Sequence, residues 1–204
     1  MRRSLIIMVK QPRPGRVKTR LARDIGRVEA AWWYRHQMTR LLRNLRDPRW
    51  QITLAIAPDR ATQNRHLWPS DLPRLPQGRG DLGDRMRRML EAPPPGPVCL
   101  IGSDIPGITR RHIAHAFQAL GTHDGVFGPA PDGGYWLVGM RRPLPRNLFA
   151  HVRWSSPHAL SDTLAPLHRH RIARIDTLAD VDTAADLALS SAPQRLPEGQ
   201  RHRR

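Results

Sequence analysis

The chain has 204 residues, and its 34 lysines and arginines against 17 aspartates and glutamates give a formal charge of +17. This length suits one domain with a sizeable core, and no apolar run approaches the roughly 20 residues that a membrane span needs. The single cysteine, Cys99, excludes an internal disulfide and a cysteine-rich metal site, and the ten histidines show no zinc-binding spacing. We therefore expect a cytoplasmic protein.

Apolar runs alternate with helical patterns along the whole chain. The predicted strands are 4–9, 51–57, 73–76, 98–103, two strands joined by "PDGG", and 171–175. The predicted helices are 26–46, 60–68, 81–92, 109–120 with Thr109 as its cap, one that begins with a serine cap and a proline in "SSPHAL", and one in "DTAADLALS".

This alternation predicts an α/β three-layer sandwich with a mostly parallel sheet and an antiparallel hairpin near 124–140. Residues 1–190 are expected to form one domain, and residues 191–204, which lack periodicity, a disordered basic tail. Ligands of such sheets bind outside the carboxyl ends of the strands, so the loops at that edge are the candidates for function.

The first of these loops is "KQPRPGRVKTR", residues 10–20, and it holds the only two lysines of the chain. A chain that otherwise uses arginine is expected to keep lysine where a compact point charge is needed, for example on a phosphate. A basic loop stiffened by prolines suits a polyphosphate, while a solvated surface loop is the alternative. The predicted phosphate-binding residues here are Lys10, Pro14, Gly15, Arg16, Lys18 and Arg20.

The loop "LIGSDIPG", residues 100–107, places Asp104 just after a strongly apolar strand. One carboxylate at this edge can hold a hard divalent ion against phosphate oxygens, with Ser103 as a phosphate contact. Ser103 or Asp104 could instead cap the next turn. In "GRGDLGDRM", Asp81 caps a helix, or Asp81 and Gly83 meet a nucleotide at the helix terminus.

Two later motifs carry the remaining candidates. "GPAPDGGYWLVG" is first a hairpin turn, but its adjacent glycines would also let the backbone approach a substrate. The predicted substrate-binding residues are Asp132, Gly133, Gly134 and Tyr135. In "DVDTAADL", Asp182 is expected to cap the last helix, with a second metal carboxylate as the functional alternative. "WSSPHAL" favours a helix cap over chemistry.

Taken together and in order, these motifs from residue 4 to about 190 resemble an uncharacterised bacterial family of the glycosyltransferase-A superfamily. Some members of that family are named arsenosugar-biosynthesis glycosyltransferases. The basic first loop and single metal-binding aspartate are also similar to those of the molybdenum-cofactor and phospholactate guanylyltransferases. The resemblance implies a three-layer Rossmann-like fold of the nucleotide-diphospho-sugar transferase (glycosyltransferase-A) type, which binds nucleotides. It also implies Lys18 on phosphates, Asp104 on Mg²⁺ or Mn²⁺ and Asp182 as a second metal ligand.

Two departures keep the reaction open. Ser103-Asp104-Ile105 has one carboxylate where such glycosyltransferases usually carry Asp-x-Asp, and the glycine-rich first loop of nucleotidyltransferases is absent. The hypotheses are glycosyl transfer from a nucleotide-sugar to a small acceptor, nucleotidyl transfer from a nucleoside triphosphate to a phosphorylated acceptor, and a non-catalytic polyanion-binding module. Nucleic acid is not the expected partner, since the arginines form no stripe. The catalytic candidates are Lys18, Asp104 and Asp132.

Overall fold

A single seven-stranded sheet organises the computed structural model, which describes residues 2–191, with side chains up to residue 188. Its strands are β1 (Ser4–Lys10), β2 (Gln51–Ala57), β3 (Arg74–Pro76), β4 (Val98–Ile101), β5 (Gly125–Pro129), β6 (Tyr135–Met140) and β7 (Ile172–Arg174). They lie in the order β3-β2-β1-β4-β6-β5-β7. Strand β6 is antiparallel to β4 and β5, and the other pairs are parallel. The predicted mostly parallel sheet with an antiparallel hairpin is confirmed.

Helices cover both faces of this sheet. They are α1 (Leu21–Ile25), α2 (Arg27–Asn44), α3 (Leu82–Glu91), α4 (Arg110–Ala119), α5 (Ala159–Leu164) and α6 (Ala184–Ser191), with short 3-10 helices at Asp59–Gln63 and Ala165–Leu167. Alternate residues of β1 enter separate hydrophobic clusters: Leu5 and Ile7 join one, which includes α2 and α4, and Ile6 joins the other, which includes α3. The predicted three layers follow from this burial on both faces.

The sheet has a topological switch point between β1 and β4. The chain moves from β1 outwards to β2 and β3, and then returns to place β4 on the other side of β1. At such a point the loops after the two strands diverge and leave a crevice at the carboxyl edge. The segments 11–20 and 102–108 therefore flank one crevice.

Three local expectations differ from the structure. Helix α1 was not predicted, because five residues are too few for a periodic pattern and Gly26, with a φ of 93°, separates them from α2. The predicted helix at 60–68 is the shorter 3-10 helix Asp59–Gln63. The predicted start in "SSPHAL" is wrong: α5 begins at Ala159, because the Ser156 hydroxyl accepts from His158 N–H and donates to the Arg153 carbonyl.

The expected cap of the last helix is also wrong. Thr183 takes this role, because its hydroxyl accepts a hydrogen bond from the Asp186 N–H at 3.2 Å, while the Asp186 carboxylate accepts from the Thr183 N–H at 2.8 Å. The carboxylate of Asp182 is thus left free of capping. Of the tail predicted at 191–204, Ser191 is the last residue of α6, and residues 192–204 lie outside the described part of the chain.

Within residues 2–191, none of the helices is long and apolar enough to cross a membrane.

The β5–β6 hairpin generates a stability prediction. A Cβ added at Gly128 would collide with the indole of Trp136, which is buried and held by a hydrogen bond of 2.9 Å to the Asp176 carbonyl. We expect Gly128→Ala to lower the free energy of unfolding by about 1–3 kcal/mol, the usual cost of overpacking. Urea denaturation measures this loss.

The matched control is Gly102→Ala, because no atom lies within 4 Å of the Cβ it would add. Equal urea midpoints for the two variants would contradict the assigned packing of Trp136 against β5.

Candidate functional site

Lys18 lies at the centre of the crevice and joins segments that are far apart in the sequence. Its Nζ is 3.0 Å from Asp104 Oδ2 and 2.9 Å from Asp182 Oδ1, and its side chain is only 3% exposed. Its φ of 46° is left-handed, which is uncommon for a residue with a side chain. The buried Val17 beside it anchors the loop to the core. The loop after β1, the loop after β4 and the segment before α6 therefore meet at one ammonium group.

Lys18, Asp104 and Asp182 form an ion triad whose members stabilise one another's charged forms. Burial alone would lower the pKa of Lys18, but Asp104 and Asp182 outweigh it and raise that pKa above its usual value, so the ammonium stays protonated. Burial likewise opposes ionisation of Asp182, yet the hydrogen bond and charge of Lys18, aided by Arg20, lower its pKa. Arg20 Nη1 lies 3.1 Å from Asp182 Oδ2. The Lys18 ammonium also lies 5.9 Å from the centroid of the Trp33 ring.

Four aspartates lie in or beside the triad, whereas Lys18 and Arg20 are the two cations paired with them. Burial raises the pKa of Asp180, the charge of Asp182 raises it further, and Lys18 only partly opposes this. Asp132 and Asp104 add to the repulsion. The crevice therefore concentrates negative charge from four aspartates, in a chain that is strongly basic overall.

A relay of hydrogen bonds ties β1 to Asp104. The Lys10 backbone N–H donates to the Tyr34 hydroxyl at 2.9 Å, which lies 2.8 Å from the Ser103 hydroxyl, and this donates to Asp104 Oδ1 at 3.2 Å. Since Ser103 uses its proton on Asp104, Tyr34 is the donor to Ser103. Burial raises the pKa of Tyr34 far above its usual value, so the phenol stays protonated. Sequence reasoning missed Tyr34, because its position in the amphipathic pattern of α2 indicates a core residue only.

A cleft of about 630 Å³ opens beside the triad. Seven of the predicted site residues line it: Lys10, Asp81, Ser103, Asp104, Asp132, Gly134 and Tyr135. The lining residues that were not predicted include Gln77, Arg85, Trp154, Ser155 and Asp180. Asp180 stands two residues before Asp182 in the same acidic motif, and "WSSPHAL" contains Trp154 and Ser155, so both signals were present in the sequence.

The first loop is not gathered into one site. Pro14, Gly15 and Arg16 line a second cavity of about 590 Å³, together with Arg23 and Arg27. Lys10 faces the larger cleft, and the Lys18 side chain is turned inward to the aspartates. The loop therefore separates an arginine-lined cavity from the cleft that holds the aspartates.

Several predicted residues have structural partners. Asp81 caps α3 in a reciprocal pair with Asp84, at 2.8 and 3.1 Å, and so makes the capping contact that was one of its two alternatives. A Cβ at Gly83 would lie 2.9 Å from both Phe149 Cβ and Trp154 Cζ2, so this glycine provides room for the indole. Gly83 itself is not among the residues that line the cleft.

The hairpin loop is likewise shaped by local contacts. The Asp132 carboxylate accepts from the Gly134 N–H at 2.9 Å, which is the turn chemistry expected of "PDGG". Gly133 has a φ of 83°, and a Cβ there would collide with the Pro157 carbonyl. A glycine is needed here because the segment before α5 packs closely against residue 133. The Tyr135 hydroxyl lies 3.4 Å from Thr163 Oγ1, and burial raises its pKa.

Metal-binding capacity rests on few side chains. Within residues 2–191, no group of three or more His, Cys, Asp or Glu is arranged to hold an ion. Asp104 and Asp182 each place a carboxylate oxygen within 3.0 Å of the same lysine nitrogen. Two carboxylates with substrate phosphates and water are a usual ligand set for Mg²⁺, so these residues fit a cation that arrives with a phosphorylated ligand.

Known structures resemble this fold over nearly the whole chain. A protein of Desulfovibrio desulfuricans G20, provisionally named a nucleotide-diphospho-sugar transferase, has 29% identity and a TM-score of 0.85, over 93% of this chain and 86% of that chain. The 4-diphosphocytidyl-2C-methyl-D-erythritol synthase of Anaerococcus prevotii DSM 20548 has 10% identity and a TM-score of 0.59, over 93% and 96%. Rv0371c of Mycobacterium tuberculosis H37Rv, in complex with manganese, has 14% identity and a TM-score of 0.53, over 93% of this chain and 98% of that chain.

These likenesses confirm the predicted nucleotide-diphospho-sugar transferase fold. The name of the Desulfovibrio protein also agrees with the prediction of a transferase enzyme. No curated protein matches the sequence. A family model of uncharacterised proteins conserved in bacteria matches residues 41–156, more than half of the chain. The chain therefore belongs to the bacterial DUF2064 family.

Proposed function

We propose that this protein is a metal-dependent transferase that moves a glycosyl group from a nucleotide-sugar to a small acceptor. The observation that carries the proposal is the buried Lys18 ammonium, which joins Asp104 and Asp182 at the carboxyl edge of the sheet. The 29% identity to a protein named as a nucleotide-diphospho-sugar transferase supports it. The resemblance to arsenosugar-biosynthesis glycosyltransferases favours the same reaction.

The residues around Lys18 suit a leaving diphosphate. Glycosyl transfer releases a nucleoside diphosphate, so negative charge grows on the bridging phosphate oxygen as the bond to the sugar breaks. Lys18 and Arg20 are cations already held in place by Asp182, and Lys10 lines the cleft nearby. Preorganised charges stabilise a developing anion without reorganisation at the moment of reaction. We assign diphosphate binding to these three residues.

Asp104 and Asp182 are the proposed ligands of Mg²⁺ or Mn²⁺. Their oxygens converge on the Lys18 ammonium, so an ion shared by the two carboxylates would bind beside Lys18, where Asp132 and Asp180 add negative charge. A divalent ion bound there would neutralise phosphate oxygens as a Lewis acid. The manganese complex of the distantly similar Rv0371c supports this assignment. The relay from Tyr34 through Ser103 would then fix the orientation of the Asp104 carboxylate.

Nucleotidyl transfer is the second candidate, and the cavity behind the first loop favours it. Arg16, Arg23 and Arg27 line that cavity of about 590 Å³. Three guanidinium groups suit the terminal phosphates of a nucleoside triphosphate, which a nucleotide-sugar lacks. In that reaction a phosphorylated acceptor attacks the α-phosphate and pyrophosphate leaves. A non-catalytic polyanion-binding module, the third hypothesis, would show no transferase activity and would bind without a metal.

One assay separates these functions. A panel of nucleotide-sugars is incubated with the protein and Mg²⁺ or Mn²⁺, with and without pyrophosphate, and the released nucleotides are analysed by chromatography. A glycosyltransferase releases nucleoside diphosphate by transfer or slow hydrolysis. A nucleotidyltransferase releases nucleoside triphosphate only when pyrophosphate is present, because its reaction is reversed. Asp104→Asn is expected to lower either release by about 10²-fold or more.

Binding provides the matching control. Wild-type protein should be stabilised against heat by the reactive nucleotide only when the metal is present, and Asp104→Asn should lose this dependence. No nucleotide release and no metal-dependent stabilisation, together with salt-sensitive binding to any polyanion, would overturn the enzyme proposal.

A second prediction concerns the identity of the cation. Lys18→Arg keeps the charge, but the larger planar guanidinium has no room where a side chain is 3% exposed and Nζ meets two carboxylates. We expect the variant to melt at a lower temperature, because overpacking costs about 1–3 kcal/mol. Its turnover, measured below that melting temperature, should fall by about 10²–10³-fold.

The control is Arg43→Lys, at the exposed end of α2, which exchanges the same two residue types away from the site. Turnover of Lys18→Arg equal to that of Arg43→Lys would mean that Lys18 is an indifferent cation.

A third prediction follows from the charge imbalance. The pKa of Asp180 is raised, first by burial and then by the neighbouring Asp182, so its ionised form is less favourable in the folded than in the unfolded chain. At pH 7 this lowers stability, and we expect Asp180→Asn to raise the melting temperature of the metal-free protein. The gain should vanish below the ordinary pKa of 3.8, where Asp180 is protonated in both states.

Differential scanning calorimetry in EDTA at both pH values measures the effect. A melting temperature at pH 7 that is unchanged or lowered by Asp180→Asn would contradict the repulsion among these aspartates.

A further inference from the structure

One wall of the cleft is built from a segment with unusual backbone geometry. Phe149, His151 and Ser155 have φ values of 70°, 58° and 57°, all left-handed and none of them glycine. Such conformations cost free energy, persist only when the surroundings enforce them, and cluster at ligand sites. Trp154, Ser155 and Ser156 line the cleft. The backbone therefore accepts strain at the place where this segment meets the cleft.

Two sets of contacts hold the segment in place. Arg153 donates two side-chain hydrogen bonds of 2.9 Å to the Asp162 carboxylate, and its backbone N–H donates a third at 3.0 Å. The Arg153 side chain, through these hydrogen bonds, keeps the pKa of Asp162 well below its usual range. On the other side, the Ser156 hydroxyl donates to the Arg153 carbonyl. Trp154 and Ser155 are thus fixed between two anchors before any ligand arrives.

Trp154 is the aromatic part of this wall. Its ring packs against Phe149, with 6.1 Å between ring centroids, and over Gly83, which provides the space that a side chain would fill. Its indole nitrogen is buried and has no hydrogen-bond partner among the described residues. A buried donor without an acceptor costs about 1–3 kcal/mol, so native proteins rarely leave one unless a water or ligand supplies the acceptor. Trp154 also lines the cleft, so a ligand bound there can supply the missing acceptor.

Ser155 and Arg85 add two further donors. The exposed Ser155 hydroxyl makes no hydrogen bond to any residue within 2–191, whereas the Ser156 hydroxyl both donates and accepts one. Arg85, from the first turns of α3, donates through Nε to the Asp81 carbonyl and through Nη1 to Gln77 Oε1. Its Nη2 has no partner in the described part of the chain. The wall therefore presents an aromatic face and unpaired donors.

We propose that Trp154, Ser155 and Arg85 form a subsite for a polyhydroxylated group, the sugar of the donor or a sugar-like acceptor. A sugar has an apolar face that packs on an aromatic ring, and a rim of hydroxyl oxygens that accept from N–H and O–H groups. This inference rests on the proposed function, because the subsite shares its cleft with Asp104. Gly83 is a positioning residue that sets the indole in place.

The test compares Ser155→Ala and Trp154→Phe with wild-type protein by isothermal titration calorimetry in Mg²⁺. The ligands are the nucleoside diphosphate and the nucleotide-sugar that react in the release assay. We expect both variants to bind the diphosphate normally and the nucleotide-sugar about tenfold more weakly, which corresponds to about 1.4 kcal/mol. Trp32→Phe is the matched control, since Trp32 is 60% exposed on α2.

The remaining outcomes also decide the question. Unchanged donor binding with a raised KM for a sugar acceptor assigns the subsite to the acceptor and supports the proposal. Donor binding and acceptor KM equal to those of Trp32→Phe would overturn it, even if Lys18 and Asp104 prove essential. If no nucleotide binds at all, free monosaccharides are titrated at millimolar concentration with tryptophan fluorescence as the readout. A response lost in Trp154→Phe then supports the subsite, and no response overturns it.

Discussion

The ion triad of Lys18, Asp104 and Asp182 is the constraint on which the rest of the site depends. A lysine with a 3% exposed side chain is tolerated only because two carboxylates lie within 3.0 Å of its nitrogen. The same contacts fix the loop after β1, the loop after β4 and the segment before α6 relative to one another. The relay from Lys10 through Tyr34 and Ser103 holds the other carboxylate oxygen of Asp104, Oδ1. Structural integrity and proposed chemistry thus rest on the same few charges.

The sheet topology explains why these residues can meet. Strand β1 lies in the interior of the sheet, between β2 and β4. The loops that follow the adjacent strands β1 and β4 therefore diverge from each other. Both strands are apolar on both faces, which leaves polar residues to appear only where the strands end. Lys10 and Asp104 appear at those ends. Part of the cleft wall comes from elements on the α3 side of the sheet, where Gly83 admits the Trp154 indole.

Much of this could be predicted from the sequence, for identifiable reasons. The strand "QITLAIA" occurs at its predicted bounds, because its β-branched and apolar residues lie between clear breakers. Lys18 stood out because lysine is rare in this chain. The cap of α6 was misjudged, since Asp182 and Thr183 are both good caps and only tertiary contact with Lys18 decides between them. Tyr34 and Trp154 were missed because their roles depend on partners that are distant in sequence.

The separation of the triad along the chain has a consequence for biosynthesis. Lys18 and Asp104 belong to the early and middle parts of the sequence, but Asp182 lies 164 residues after Lys18. A nascent chain that has emerged only as far as β6 contains six of the seven strands. Its Lys18 still lacks the second carboxylate, that of Asp182. Since domains are synthesised from the N-terminus, the charged centre is completed only after nearly the whole described chain has left the ribosome. The complete triad therefore cannot form before the segment that precedes α6 has been synthesised.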